Sequence, residues 1–328
     1  MKADAYGLGA ERVGRALASA GCRTFFVAHA EEGLRLRVAL GTRPVIAVLH
    51  GLMPGNEAEF VAHDLLPVLS ARWQIDTWSA LARSLGRAMP AVLQVDSGMT
   101  RFGLSAKEVA RLAPEKLDGL NLRLLMSHLA CADEPDHPAN SAQRAAFEAM
   151  RARFPEVPAS LSASSGIFLG QGYHFDLVRP GAALYGIAPQ AGAPNPMRPV
   201  VRLEARVIQL RDVPAGTPVG YGWTERTIRP SRLATVTVGY ADGFLRSLSG
   251  NAAAWCGAVR LPVLGRVSMD SVVVDVTDLG EAAPPPGATV TLLGPRQDVD
   301  ALARAAGTIG YEVLTSLGHR YHRTYLEA

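Results

Sequence analysis

Up to about residue 190 the chain alternates short apolar runs with stretches whose apolar positions recur at helical spacing. The runs are TFFVAHA, RPVIAVLH, LLPVLS, PAVLQVD, LRLLMSH, ASLSAS and DLVRPGAALYG. Between most of them lie ERVGRALASAG, DTWSALARSLGR, AKEVARLA and NSAQRAAFEAMRARF, each with one apolar stripe. Near-continuous apolar strands separated by amphipathic helices predict a parallel sheet with the helices outside. Seven such strands, with one missing at the start, make a TIM-like (β/α)8 barrel in the α/β class.

The pattern changes after the Pro- and Gly-rich APQAGAPNPMRP. VVRLEARVIQL, LATVTVGYA, VRLPVLGRVSMDSVVVDV and ATVTLLG alternate apolar and polar positions and are rich in β-branched residues, with turn signals at DVPAGTP and APPPGA. A mostly antiparallel β-domain is expected there, closing with a helix over DVDALARAAGTIGYEVLTSLG. The predicted boundaries are 1–190 for the barrel and 196–328 for the β-domain.

Composition adds exclusions. The chain has 328 residues, 48% of them apolar and 19% charged, and its formal net charge is +3. Its basic residues are scattered along the chain, so no electrostatic footprint for nucleic acid is expected. No apolar run approaches the length of a membrane helix and no apolar leader follows Met1, so a soluble, cytoplasmic protein is expected. Cys22, Cys131 and Cys256 are far apart, odd in number and without a CxxC pair, which argues against both a disulfide framework and a metal site.

Lysine is scarce: Lys2, Lys107 and Lys116 are the three in the chain. Lys107 and Lys116 sit in SAKEVARLAPEK, which reads as a solvated helical face. Lys2, followed at once by a Tyr-Gly-x-Gly turn, is therefore the candidate for imine chemistry. In a parallel barrel the functional groups collect after the strands. At those places stand Lys2 and Tyr6, Asp96 to Arg101, His128, Ser164 and Ser165, and Arg179 with Gly181. Each alone reads as an ordinary loop or core residue. Together, each after a different strand, they suit an anionic small molecule such as a phosphate.

The motifs KADAYGLG, VDSGMTRFG, MSHLACADEP, LVRPGAALYGIAP, VGYGWT, VTVGYADGF and VLGRVSMDSVVVDV, in this order, resemble the alanine racemase family over essentially the whole chain. The resemblance implies a pyridoxal 5′-phosphate (PLP) enzyme that interconverts L- and D-alanine through a PLP aldimine on Lys2, supplying D-alanine for peptidoglycan. It implies two bases, one on each face of the reacting carbon: Lys2, and Tyr221 from the β-domain of a second subunit, hence a homodimer with shared active sites. It places His128 and then Arg179 behind Tyr221, with Arg179 also at the pyridine nitrogen. Tyr6, Ser164, Ser165, Gly181 and Ala182 would hold the phosphate and Arg101 the phenolic oxygen. Met269 and Asp270 would meet the substrate, and Tyr240 would narrow the entrance.

The sequence departs from the family pattern at several points. The strand-helix segment that precedes the lysine motif is absent, so the first barrel strand is expected to be largely missing and two sheet edges exposed. Ser164 replaces an asparagine, Gln94 a carbamylated lysine that braces the arginine at 101, and His319 a phosphate-contacting tyrosine. Two other readings stay open: a broad-spectrum amino-acid racemase, and a non-catalytic PLP-binding protein.

Overall fold

The structure is a computed structural model and describes residues 1–326. It divides into two compact units, the first comprising Met1–Leu184 and Ala188–Asn195, the second Tyr185–Ile187 and the chain from Pro196 onward.

The first unit is a TIM-like half barrel. Six parallel strands lie in sequence order: β1 (Thr24–Val27), β2 (Val45–Val48), β3 (Leu65–Leu69), β4 (Met89–Gln94), β5 (Leu120–Met126) and β6 (Ala159–Ser160). Every residue of β3 is buried, as a strand covered on both faces must be. Side chains alternate across the sheet. Phe25, Ile46, Val48, Leu69, Leu93 and Leu125 join Leu36, Ile75, Trp78 and Phe147 of the helices in one core. The intervening Ala47, Leu66, Val68, Val92, Leu124 and Met126 form a second cluster on the other face. The run DLVRPGAALYG does not become a seventh strand. It contributes an isolated parallel bridge, Ala163 to Arg179, because Pro180 has no amide to give a ladder.

Ahead of the sheet, Lys2–Tyr6 coil into a left-handed turn, with φ of 52°, 53°, 55° and 57° at Ala3, Asp4, Ala5 and Tyr6. Left-handed backbone costs about 1–2 kcal/mol per non-glycine residue. Four in a row cost about as much as burying two or three large apolar side chains returns. Burial of Ala5 and Tyr6 offsets part of this, and Gly7, with φ 80°, ends the turn without strain.

The second unit is a closed antiparallel barrel. Its long strand β7 (Leu203–Val213) is followed by a small hairpin of β8 (Pro218–Val219) and β9 (Glu225–Arg226), then β10 (Ser231–Val236), β11 (Ala253–Cys256), β12 (Val259–Leu264), β13 (Val272–Asp275) and β14 (Thr289–Leu293). The barrel order is β10-β13-β12-β11-β14-β7. Alternation of buried and exposed residues in β7, β12 and β13 puts Val207, Leu261, Val263, Val272 and Val274 inside. VRLPVLGRVSMDSVVVDV splits into β12 and β13 around the GRVSMD loop, and β11 was not among the expected strands. The final helix breaks in two, Val299–Ala306 and Gly310–Thr315, at Gly307 with φ 69°.

Candidate active site

In the first unit Asp96 to Arg101, His128, and Ser164 with Ser165 follow β4, β5 and β6. Lys2 and Tyr6 instead precede β1, and Arg179 and Gly181 also come after β6, without a strand of their own, so the expectation of a different strand before each group does not hold. Lys2 projects from the left-handed turn, whose Ala3 amide donates to Glu32 Oε1 at 2.6 Å. Burial and then the Arg101 guanidinium hold the Lys2 ammonium below the usual lysine range, against the opposing pull of Glu32. Arg101 ends a loop organised by Asp96, whose Oδ1 accepts from the amides of Gly98 and Met99 at 2.9 Å and of Thr100 at 3.1 Å. The base of that loop is tied by Leu104 N to Gln94 O at 3.0 Å and Asp96 N to Leu104 O at 2.9 Å. Gln94 is buried and accepts from Ser70 Oγ at 3.4 Å.

His128 follows β5. Burial pushes its imidazole down to about 3, helped by the positive charges of Arg179, Arg101 and Lys2, so it is neutral at physiological pH. Gln143 Nε2 donates to its carbonyl oxygen at 3.2 Å. Arg179 Nη2 donates to the Ser127 and Leu161 carbonyl oxygens at 2.5 and 3.2 Å, and its Nη1 donates to Ser160 Oγ. Burial weakens the hold of Arg179 on its proton, to about 10, which leaves it charged at neutral pH.

Ser164 is 3% exposed, and its Oγ accepts from the amides of Gly181 at 2.9 Å and Ala183 at 3.1 Å. A Cβ on Gly181 would stand 2.6 Å from the Tyr6 hydroxyl, so only glycine leaves Tyr6 its place. Ser165 follows in the short helix Ser164–Ile167, and Ala182 is buried beside Gly181. Backbone amides and hydroxyls of Tyr6, Ser164, Gly181 and Ala183 thus meet in one turn, in the unit where the charges of Arg179, Arg101 and Lys2 all act on His128.

In the second unit Tyr221 sits in the β8–β9 turn and is 69% exposed. Flanking Gly220 and Gly222, with φ of 70° and 73°, shape that turn, and a Cβ on Gly222 would press within 3.2 Å of the Arg266 guanidinium. Tyr240 and Met269 are joined through backbone: Tyr240 N donates to Ser268 O at 3.0 Å and Ala241 N to Met269 O at 3.1 Å. Arg320 staples the same two loops, with Nε and Nη2 on the Asp242 carboxylate at 2.7 and 3.0 Å and Nη1 on Asp270 at 2.7 Å.

Two family models match consecutive parts of the chain. That of the alanine racemase N-terminal domain covers residues 1–189, and that of the alanine racemase C-terminal domain covers residues 200–325. The chain belongs to the alanine racemase family. It is 53% identical over 329 residues to the catabolic alanine racemase of Agrobacterium fabrum, spanning 100% of this chain and 85% of that one. It is 48% identical to the alanine racemase of Brucella canis, spanning 99% of this chain and 86% of that one. The crystal structure of alanine racemase from Bartonella henselae with covalently bound pyridoxal phosphate superposes with a TM-score of 0.95 at 42% identity, covering 99% of this chain and 91% of that one. The biosynthetic alanine racemase of Pseudomonas aeruginosa gives 0.89 at 35% identity, covering 99% and 91%.

Within this alanine racemase family member, the first unit carries Lys2, Tyr6, Arg101, His128, Ser164, Ser165, Arg179, Gly181 and Ala182. Tyr221, Tyr240, Met269 and Asp270 belong to the second unit. Sequence reading missed Glu32 and Arg320. The signal for Glu32 was present in HAEEG, where a glutamate in the first turn of a helix reaches back to the amides before it. Arg320 carried none, because its partners are 78 and 50 residues away.

Proposed function

We propose that this chain is an alanine racemase that uses PLP and moves the Cα proton of alanine between two faces, with Lys2 serving one face and Tyr221 of a second copy the other. The observation that carries the proposal is the lysine held on a strained turn beside Arg101, in the same unit as the Tyr6 and Gly181 close approach. The residues present fit the cofactor. Tyr6, Ser165, Gly181 and Ala182 would hold its phosphate, with Ser164 ordering the 181–183 backbone from beneath. Arg101 and Arg179 would face its phenolic oxygen and ring nitrogen, and Lys2 Nζ would hold its carbonyl carbon. When bound, PLP supplies the electron sink that acidifies the Cα–H bond.

The rest falls to the chain's own groups. A lysine amine crowded by protein and by a guanidinium gives up its proton more readily, so Lys2 Nζ is available to accept the Cα proton from one face or return it. Tyr221 Oη would do the same on the other face. His128, kept neutral, can take a hydrogen bond without adding a fourth positive charge to Lys2, Arg101 and Arg179. Met269 and Asp270 would meet the substrate carboxylate and Tyr240 would narrow its path.

Tyr221 is widely exposed and so accessible to a second copy, and a homodimer with shared sites is part of this proposal. The family models end and begin near the proposed domain limits, 1–190 and 196–328. Among the described residues no helix is long and apolar enough to cross a membrane, which is consistent with the proposed cytoplasmic location. The test is purified protein carrying a covalently attached chromophore that Lys2→Ala removes, together with conversion of L- to D-alanine. Chromophore without turnover would support a PLP-binding protein instead.

The D-alanine formed would supply peptidoglycan. A second reading, a catabolic role, is favoured by the names of two relatives that are each 53% identical. A deletion strain that needs D-alanine to grow supports the first. One that grows without it but no longer uses D-alanine as a carbon source supports the second.

A further inference from the structure

Four consecutive non-glycine residues hold left-handed backbone immediately after Lys2. Contacts inside the turn help to keep it: Gly7 N donates to Ala3 O at 2.7 Å, Gly9 N to Asp4 O at 2.9 Å and Ala10 N to Asp4 Oδ1 at 2.7 Å. A contact from outside comes from Glu32, in the first turn of the helix Ala30–Leu40. Glu32 Oε1 accepts from Ala3 N at 2.6 Å, while Oε2 accepts from Ala28 N at 2.7 Å and His29 N at 3.2 Å. The carboxylate thereby spans the residue next to Lys2 and the loop that leaves β1.

All three partners are N–H donors, so both oxygens must accept. A carboxamide of the same shape would turn its NH2 against one set of donors and lose it. Glu32 is also the negative group that acts on Lys2, whose other named neighbour, Arg101, is positive. Shape and charge both favour a carboxylate at 32.

We infer that Glu32 is a positioning residue for the Lys2 amine, fixing the left-handed turn against the β1 loop and so the point from which Nζ projects. The inference rests on the reading of Lys2 as the group that holds PLP. It assigns Glu32 no contact with the substrate or the cofactor. Its effect should therefore fall on what Lys2 does, and spare what the Tyr6, Ser165 and Gly181 side of the site does.

Pyridoxamine 5′-phosphate separates the two, because it shares the phosphate and ring of PLP but its amine cannot condense with a lysine. The experiment titrates the holoenzyme with pyridoxamine 5′-phosphate and reads the concentration that displaces half of the bound PLP. Any general loosening of the site weakens both ligands and leaves this ratio unchanged. Glu32→Gln should lower it by about tenfold or more, the equivalent of one lost charged hydrogen bond, and Lys2→Ala should abolish the preference for PLP. Should Glu32→Gln not fold, Glu32→Asp keeps the charge but cannot span both sets of donors, and the same fall is expected. A ratio equal to that of the unsubstituted chain in the variant that folds overturns the inference. An unsubstituted chain that shows no more preference for PLP than Lys2→Ala overturns the reading of Lys2, and the inference with it.

Discussion

Arg179 donates to the carbonyl oxygen of Ser127 at 2.5 Å, and Ser127 is the residue immediately before His128. One guanidinium thus ties the segment around residue 179 to the end of β5 and, through Ser160 and Leu161, to the end of β6. A planar fork reaches these acceptors at once, whereas an ammonium is a single point. Arg179→Lys should therefore leave buried carbonyl oxygens unpaired and cost about 1–3 kcal/mol, read as a lower thermal midpoint. An unchanged midpoint would show that the fork is not what joins the strands.

His128 gives the fold an acid sensitivity. Its folded value of about 3 lies below the usual imidazole value. Between the two the unfolded chain binds the extra proton, so stability rises with pH across this window and is lost as pH falls below about 6.5. Denaturant titrations from pH 7 to pH 4 should show that loss, and His128→Asn should remove part of it. Equal acid slopes in the two proteins would mean that other groups carry the effect.

The Tyr6 and Gly181 approach makes a steric prediction. Gly181→Ala places a methyl 2.6 Å from the Tyr6 hydroxyl, so the phenol must move. PLP and inorganic phosphate should both bind more weakly, by about tenfold, which calorimetry can read. Unchanged phosphate affinity would place the phosphate elsewhere.

In the second unit Gly239 is required by space rather than by backbone angle. A Cβ there would lie 2.2 Å from Met269 O and 2.4 Å from Ser268 O. Gly239→Ala should force the Tyr240 and Met269 loops apart and destabilise the protein by about 1–3 kcal/mol, the usual scale of overpacking. A melting curve matching that of the unsubstituted chain would contradict the close approach.

The strands and helices were legible where period and burial agree, as in LLPVL and in NSAQRAAFEAMRARF. Elsewhere competing chemistry decided. DLVRPGAALYG looks like a strand by hydrophobicity, yet Pro180 and the hydrogen bonds from Gly181 and Ala183 to Ser164 turn it into a cradle. AAWC is too short and mixed to announce a strand, and pairing with β12 makes it one. The left-handed turn could not be read, because Ala and Tyr disfavour that conformation, Asp visits it only as a single residue, and contacts such as that from Glu32 hold the run in place. The site residues are named by the order of the motifs in the family resemblance, and their roles rest on that resemblance. The local half of Glu32 was legible in HAEEG, through Ala28 and His29, but its reach to Ala3 was not, and Arg320 was not, because its partners are distant in sequence.

The claim that two different groups serve the two faces is tested most directly by solvent exchange at Cα. Cofactor-loaded Tyr221→Phe would be incubated in D2O with L-alanine and with D-alanine separately, and deuterium uptake followed by NMR. The account predicts that one enantiomer keeps exchanging its Cα proton through Lys2 without inverting, while exchange of the other falls on the order of a hundredfold. Equal exchange of both enantiomers, or undiminished racemisation, would contradict it.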